Sequence, residues 1–510
     1  MLLVASGVLT GPGQFREAWP YISGTDPAWE PTYRQIQSHK YMFTSISGFN
    51  FPLGGICVFS QNRDQVIQSI PPQQVVHRLV RAHLQAFEPI YRLFHPPQLE
   101  EELNAFWADN TSCAEEWLAQ LFMVLALGSH TTPEPILRGT GPLMESCTAR
   151  FLDAAQFCFS RSPYLSAPTL TSVRILCLTV IARLLEVKGA ETSQLLSLTG
   201  FLTRTAMAIN LHRAPSVLSG VTAFEAEMRR RVWTTVQLLD LQVAIRTGTS
   251  YAHKNEDTIV PLNINNTDIY RTHHGWMLRR QQAQRQGITD STFQVQLAEL
   301  LPTLIQIVNT INSPTKGPPT YEKVQSWDSQ LRQKLQDAET ALTPNPQRST
   351  ESQVASQTQL DFLRLIIHRT LLGLHHHSLT TPASQHPEST SAITQSALEI
   401  LCIQQAWHSQ QLNRPQANLT PSLNPNSSIA TFSFANTPIL SPPPPYSSST
   451  VEPPPPDPGW LLSLHRDTFT AALLYRTSSK VHVDTYFLDN PLSTLVLQPT
   501  PNSARANLSV

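Results

Sequence analysis

No two of the chain's six cysteines form a C-x-x-C pair: they stand at Cys57, Cys113, Cys147, Cys158, Cys177 and Cys402. A compact zinc site needs ligands a few residues apart that converge on one ion, so structural zinc within this chain is not expected. An excess of one charge is also lacking. Lys and Arg total 36 against 37 Asp and Glu, which leaves no global field to draw the chain to nucleic acid or an anionic membrane. No segment offers the roughly 18 uninterrupted apolar residues of a membrane span. The opening MLLVASGVLTGPG has no positive n-region, so a signal peptide is not expected, and the chain reads as soluble and intracellular. G-x-S-x-G, P-loop and H-E-x-x-H words are all missing, so hydrolase, nucleotide-binding and zincin chemistries lack their minimum parts.

What is present is length and helical periodicity. The 510 residues, 41% of them hydrophobic, can bury a large core and by length alone allow roughly two to four domains. From Gln73 to Phe94, Val76, Leu79, Leu84, Phe87, Ile90 and Leu93 recur near a helical period, with a break at Pro89. WLAQLFMVLALG, Trp117 to Gly128, is apolar nearly all round and reads as a core helix that its glycine ends. Leu170 to Lys188 is a second such helix, closed by Gly189, and Cys177 inside it reads as a buried free thiol. A helix from Gln194 to Ile209 should stop at Asn210, which tolerates the left-handed conformation of a helix terminator. Convincing alternating strands are lacking, and the body reads as all-α.

The next helix carries the most unusual word, FEAEMRRRVWTTVQLLDL, Phe224 to Leu241. Thr222 or Ser219 can cap it. Phe224, Met228, Val232, Val236, Leu239 and Val243 form one apolar stripe, and two of the arginines fall elsewhere. Glu225 precedes Arg229 by four, and Glu227 precedes Arg230 by three and Arg231 by four, the favourable order for helical ion pairs. The expected role is therefore a basic face tied to local carboxylates, with phosphate contact the rival. A polar loop follows, then helices capped by Thr289 or Asp290, over YEKVQSWDSQLRQKLQDAETAL and over LDFLRLIIHRTLLGLHHHSL. His375, His376 and His377 point about 100° apart on a helix and cannot all ligate one ion. They read as a half-exposed face.

Beyond Asn413 the composition changes. Residues 413–459 are rich in Pro, Ser, Asn and Thr and are expected to be a disordered tether with polyproline II character. Its PPPPY word, Pro442 to Tyr446, could dock a WW-type groove. Residues 460–510 are expected to be a tail in which the segment from Trp460 could form one amphipathic helix. Residues 1–70 are an N-terminal segment of uncertain order, and 71–412 are the all-α body, with 71–270 its best-matched core.

Several words taken in order resemble the regulatory middle homology domain of fungal zinc-cluster transcription factors. AFEPIYRLFHPPQLEEELNAFW, Ala86 to Trp107, is similar to that family's segment near "HPTF", with Leu99 for the usual Phe. LFMVLALGS is similar to its long helix closing on "ALG". Most specific is Leu202 to Asp240, which resembles a helix with an arginine, "GLHR", a variable loop, then "E-x-R-R-R-x-W-W" and Asp. Arg204, Leu211, His212, Arg213, Glu227, Arg229, Arg230, Arg231, Trp233 and Asp240 match, while Asn210 replaces Gly and Thr234 replaces the second Trp. Pro261 and Asn263 fit "P-x-N-x-x-D", with Asn266 in place of Asp; GTS at Gly248 departs from "GRP". LLGLHHHSL is similar to a late "LHRP" helix.

The resemblance covers about Pro71 to Leu379. It implies an all-α regulatory domain in which the arginine run is structural, a nuclear location, no catalytic residues, no membrane, and control of RNA polymerase II transcription of a metabolic gene set. Implied partners are the transcription machinery or another regulator, a homo- or heterodimer mate, and a small-molecule effector. The family's DNA reader needs a C-x-x-C-rich basic segment upstream, and Met1 to Pro71 supply none. Promoter DNA would then be reached only through an absent module or a partner, and zinc would enter only with such a module. The alternatives are a non-DNA-binding corepressor or partner subunit, and a metabolite-binding or enzymatic all-α protein.

Overall fold

The computed structural model describes residues 63–110, 113–131, 144–185, 192–252, 257, 259–279, 288–313, 315, 317–343, 350–376 and 387–412. The expected tether, PPPPY word and tail fall outside these residues, as do Cys57, Lys188, Gly189, His377 and nearly all of 1–70. Thirteen α-helices, two single-turn 3-10 helices (Pro215–Val217 and Asn266–Asp268) and one two-stranded hairpin make up the regular structure among the described residues.

The first half is a helical layer. Helix α1 is Arg63–Gln68, α2 Gln73–Ala86, α3 Glu88–Tyr91, α4 Pro96–Ala108, α5 Glu115–Thr131, α6 Met144–Arg161, α7 Leu170–Leu185 and α8 Thr192–Ala208. The break expected at Pro89 is the step from α2 to α3, with Pro89 in the first turn of α3. In α5, every residue from Leu118 to Ser129 is buried, as is every residue of α7 from Ser172 to Leu185. These two are core helices, and α5 packs on α2, α6 and α7. Gly128 does not end α5. The helix runs on to Thr131, and Gly128 marks its crossing with α2, where a Cβ at this position would lie 2.1 Å from the carbonyl oxygen of Leu79. The glycine is there for close backbone approach, not termination.

Helix α8 ends as its Asn210 predicts. Asn210 sits at φ 59°, and the Leu211 N–H donates to Ala206 O at 3.0 Å while Asn210 N–H donates to Met207 O at 2.8 Å, the paired bonds of a Schellman terminus. Helix α9, Ala223–Thr247, then starts with a capping box. Glu225 N–H donates to Thr222 Oγ1 at 3.2 Å, and Thr222 N–H donates to Glu225 Oε2 at 2.9 Å. Nineteen of the 25 residues of α9 are buried, so the single apolar stripe expected of it understates its position: α7 and α8 cover one side and α10 another.

The second half follows from α9. A hairpin missed in the sequence pairs β1, Ile269–Thr272, with β2, Gly275–Leu278, antiparallel, Ile269 opposite Leu278. Four residues per strand are too few for alternation to stand out. The hairpin folds onto the start of α9, where Phe224, Met228, Ile264 and Ile269 form a second small core with Trp276 and Leu278 packed against it. Helices α10 (Thr292–Ile311), α11 (Tyr321–Leu342), α12 (Thr350–His376) and α13 (Pro387–Leu412) complete the body. Neither Thr289 nor Asp290 is the N-cap of α10; Ser291 holds that position, and Thr289 Oγ1 accepts instead from Ser291 N–H at 3.1 Å.

The histidines of α12 are not a half-exposed face. His375 and His376 are buried, and His375 Nδ1 meets Ser389 Oγ at 3.0 Å while its Nε2 meets Asp328 Oδ1 at 3.0 Å. One turn pair earlier, His368 Nδ1 meets Ser396 Oγ at 3.2 Å. Both steps are seven residues, in opposite directions along α12 and α13, so the two His–Ser rungs fix the antiparallel register of an otherwise apolar contact.

The Gly128 crossing makes a stability prediction. Gly128→Ala should destabilise the body by about 1–3 kcal/mol through forced separation of α2 and α5. Gly200→Ala on α8, with nothing within 4 Å of the added Cβ, should be neutral or stabilising by up to about 1 kcal/mol. Denaturant midpoints of the two variants check the pair.

Candidate functional site: a buried ionic centre

The arginine run does not form a surface. Arg230 and Arg231 are 8% and 0% exposed and Glu227 is 0% exposed. Arg230 Nη2 donates to Glu227 Oε2 at 2.8 Å and Arg231 Nε to Glu227 Oε1 at 2.9 Å. The Leu262 N–H adds bonds of 3.3 and 3.2 Å to the two carboxylate oxygens. One carboxylate thus joins two turns of α9 to the segment after Pro261. Charge-assisted bonds of this kind offset the cost of taking a carboxylate out of water.

Arg229 departs from the expected pairing. Glu225 is occupied by the capping box, and Arg229 donates to the carbonyl of Ile209, at the end of α8. Burial lowers the Arg229 pKa and the nearby Glu225 charge raises it again. Of the other motif residues, Arg204 is exposed on α8, and exposed Arg213 pairs with Asp257 Oδ2 at 3.1 Å. The His212 ring lies 6.1 Å from fully buried Trp233. Asp240 Oδ2 accepts the Ala252 N–H at 3.1 Å, and burial pushes its carboxyl up to about 6 against that bond. Pro261 is buried, and Asn263 Oδ1 accepts from the hydroxyls of Thr289 and Thr292 at 2.6 and 2.9 Å. So Glu227, Arg230 and Arg231 meet in one centre next to Pro261, while Arg204, Arg213 and Asp240 lie apart from it.

Apart from Asn266, the residues that the centre recruits were not singled out by the sequence. Arg231 Nη2 donates to Ser291 Oγ at 3.0 Å, and Arg92 Nη2 donates to the same oxygen at 3.3 Å. Arg92 also donates to Asn266 Oδ1 at 2.9 Å. Gln294 donates to the carbonyl of Arg231 at 2.9 Å. His95 meets Asn266 O at 3.2 Å and packs edge-on at 4.7 Å against Trp276, so the hairpin roofs the centre. Glu88 accepts the Phe94 N–H at 2.7 Å, and Arg174, one of two buried arginines on α7, sits over the Phe94 ring at 5.6 Å. Glu88, Arg92 and His95 all lie in the word AFEPIYRLFHPP; Arg174 could have been found as the charge that interrupts LTSVRILCL.

Electrostatics in the centre are set by burial. Burial lifts the Glu88 carboxyl to about 7, opposed by Arg92, the Phe94 N–H, Arg174 and Arg231. It lowers His83 to about 3 and His95 to about 4. The Cys158 and Cys177 thiols are also pushed up by burial, which keeps them unreactive. Among the described residues no group of three His, Cys, Asp or Glu could hold a metal ion, and no helix is long and apolar enough to cross a membrane.

Glu88 yields a pH prediction with a definite sign. Between about 4.5 and 7 the folded chain keeps a proton that the unfolded chain has released, so its contribution to stability falls as pH rises. His95, depressed to about 4, works oppositely: its contribution is lost as pH falls from about 6.5 toward 4. Glu88→Gln, which mimics the protonated carboxyl, should therefore gain stability relative to the parent between pH 5 and pH 8, by up to about 3 kcal/mol. Thermal melts across that range check it, and parallel pH profiles would refute it.

Residues 82–364 match the family described as the fungal specific transcription factor domain. The chain is 27% identical over 313 residues to transcription factor lepE of Aspergillus flavus, covering 60% of this chain and 36% of that protein. It is 27% identical over 315 residues to transcription factor opdR of Penicillium oxalicum, covering 61% of this chain and 39% of that one. It is 24% identical over 364 residues to the equisetin cluster transcription factor eqxF of Fusarium heterosporum, at 68% and 50% coverage. The chain therefore aligns with half or less of the length of each of these relatives. The match spans more than half of the chain and takes in the whole centre from Glu88 to Gln294, so the chain belongs to the fungal specific transcription factor domain family, a family of transcription regulators and not of enzymes.

Proposed function

We propose that the chain is the regulatory body of a nuclear, pathway-specific regulator of RNA polymerase II transcription, one that governs a metabolic gene set. The naming of eqxF for the cluster it serves supports the gene-set reading. The observation that carries the regulatory reading is the burial of the arginine run. Two of its three members, Arg230 and Arg231, are spent on Glu227 inside the protein, and the whole chain carries a net charge of only -1, so this domain has no phosphate-gripping face built from that word. DNA contact is assigned to a separate module, or to a partner that carries one, and zinc would come with that module. The helical body then acts on whichever module or partner reads the promoter, by contact with the transcription machinery or another regulator.

The chain by itself is expected to bind duplex DNA only in the nonspecific range, a Kd of about 10⁻⁶ to 10⁻⁴ M at physiological salt, while its fusion to an unrelated DNA-binding domain is expected to change reporter output from that domain's site. Titration against promoter fragments and the reporter assay check the two halves. Submicromolar sequence-selective binding by the chain itself would overturn the assignment.

A further inference from the structure

Charge does not balance in the buried centre. Arg92, Arg230 and Arg231 are 4%, 8% and 0% exposed, whereas Glu227 is the carboxylate that Arg230 and Arg231 share and Glu88, beside Arg92, holds its proton up to about 7; Arg174, 8% exposed, is answered by the charge of Glu102. Asp290 lies near Arg92 but is exposed, and its carboxylate accepts the Asn266 N–H at 2.8 Å. Uncompensated cations in a low-dielectric interior are costly. Arg92 and Arg231 make that cost acute, because both donate to one hydroxyl, Ser291 Oγ, which brings two guanidiniums together with no carboxylate between them. Arg231 Nη1 and Arg92 Nε have no hydrogen-bond partner among the described residues.

The backbone adds an independent observation. Arg92 is at φ 47°, a left-handed position where glycine or asparagine would fit at least cost and any other residue is strained. Arginine at that position points to a use for its side chain.

We propose that Arg92, Arg231 and Ser291 form the binding site of a small oxyanion ligand, a carboxylate- or phosphate-bearing metabolite held by two guanidiniums and a hydroxyl. Such a ligand neutralises the excess charge, and planar guanidiniums match the oxygens of either group. Its place under the hairpin, between α3, α9 and α10, ties occupancy to the packing of the two halves of the body. As an effector site the proposal rests on the regulatory reading above; as a binding site it stands without it.

The test is thermal and calorimetric titration of the whole chain with sodium phosphate and with sodium succinate, each against sodium chloride at matched ionic strength. Saturable stabilisation by one of them is expected, and which one identifies the class of headgroup. Arg92→Gln should weaken that binding at least tenfold and Ser291→Ala severalfold, while Arg213→Gln, at an exposed ion pair away from the centre, should bind as the parent does. If Arg92→Gln does not fold, the parent titration and Ser291→Ala still decide. The proposal is overturned if neither anion stabilises the parent beyond chloride, or if the folded Arg92 or Ser291 variants bind as tightly as the parent. Binding in these titrations with no response of the fusion reporter to the same anion would overturn the effector reading and leave the site in place.

Discussion

The body depends on one carboxylate. Glu227 is fully buried, is held by two guanidiniums four and three residues on, and receives the backbone N–H of Leu262 from a separate segment. A buried ion pair of this kind adds little net stability over an apolar replacement, but removing one partner costs about 3–5 kcal/mol because the other charge is left stranded. Its effect is therefore specification. With Glu227 in place, the chain after Pro261 must return across α9, the hairpin must cover Phe224 and Met228, and Ser291 must arrive where Arg231 can reach it.

That arrangement changes what an arginine run means. A row of three arginines on an amphipathic helix suggests a grip on phosphates, and α9 would provide one if it lay at the surface. It lies instead between α7, α8 and α10, so each arginine is spent on a protein partner: Arg229 on the end of α8, Arg230 and Arg231 on Glu227. The same burial makes the charge of the centre sensitive to pH, because Glu88 holds its proton up to about 7.

Local signals were legible and convergent ones were not. Thr222 with Glu225, Asn210 after α8 and the bounds of α11 at Tyr321 and Leu342 rest on bonds within a few residues and are written in the order of the letters. The helical class follows from periodicity in the same way. Gly128 misled because a glycine near the end of an apolar run serves equally well as a terminator or as a crossing point, and only Leu79, 49 positions away in the chain, decides between them. Of the centre, the Glu227 pairs with Arg230 and Arg231 could be read from helical spacing, whereas Arg92, Arg174 and Ser291 come from three distant segments with no spacing rule between them. The buried histidines of α12 belong to the second kind as well, since their serines lie on another helix.

A double-mutant cycle on Glu227→Gln and Arg231→Met, read by equilibrium denaturation, tests the central claim most directly. If the carboxylate organises the body, each single change should cost about 3–5 kcal/mol, and the double variant should be far less destabilised than the sum of the two, giving a coupling of about 2 kcal/mol or more. Additive effects, each below about 1 kcal/mol, would show that the pair is incidental and contradict the account.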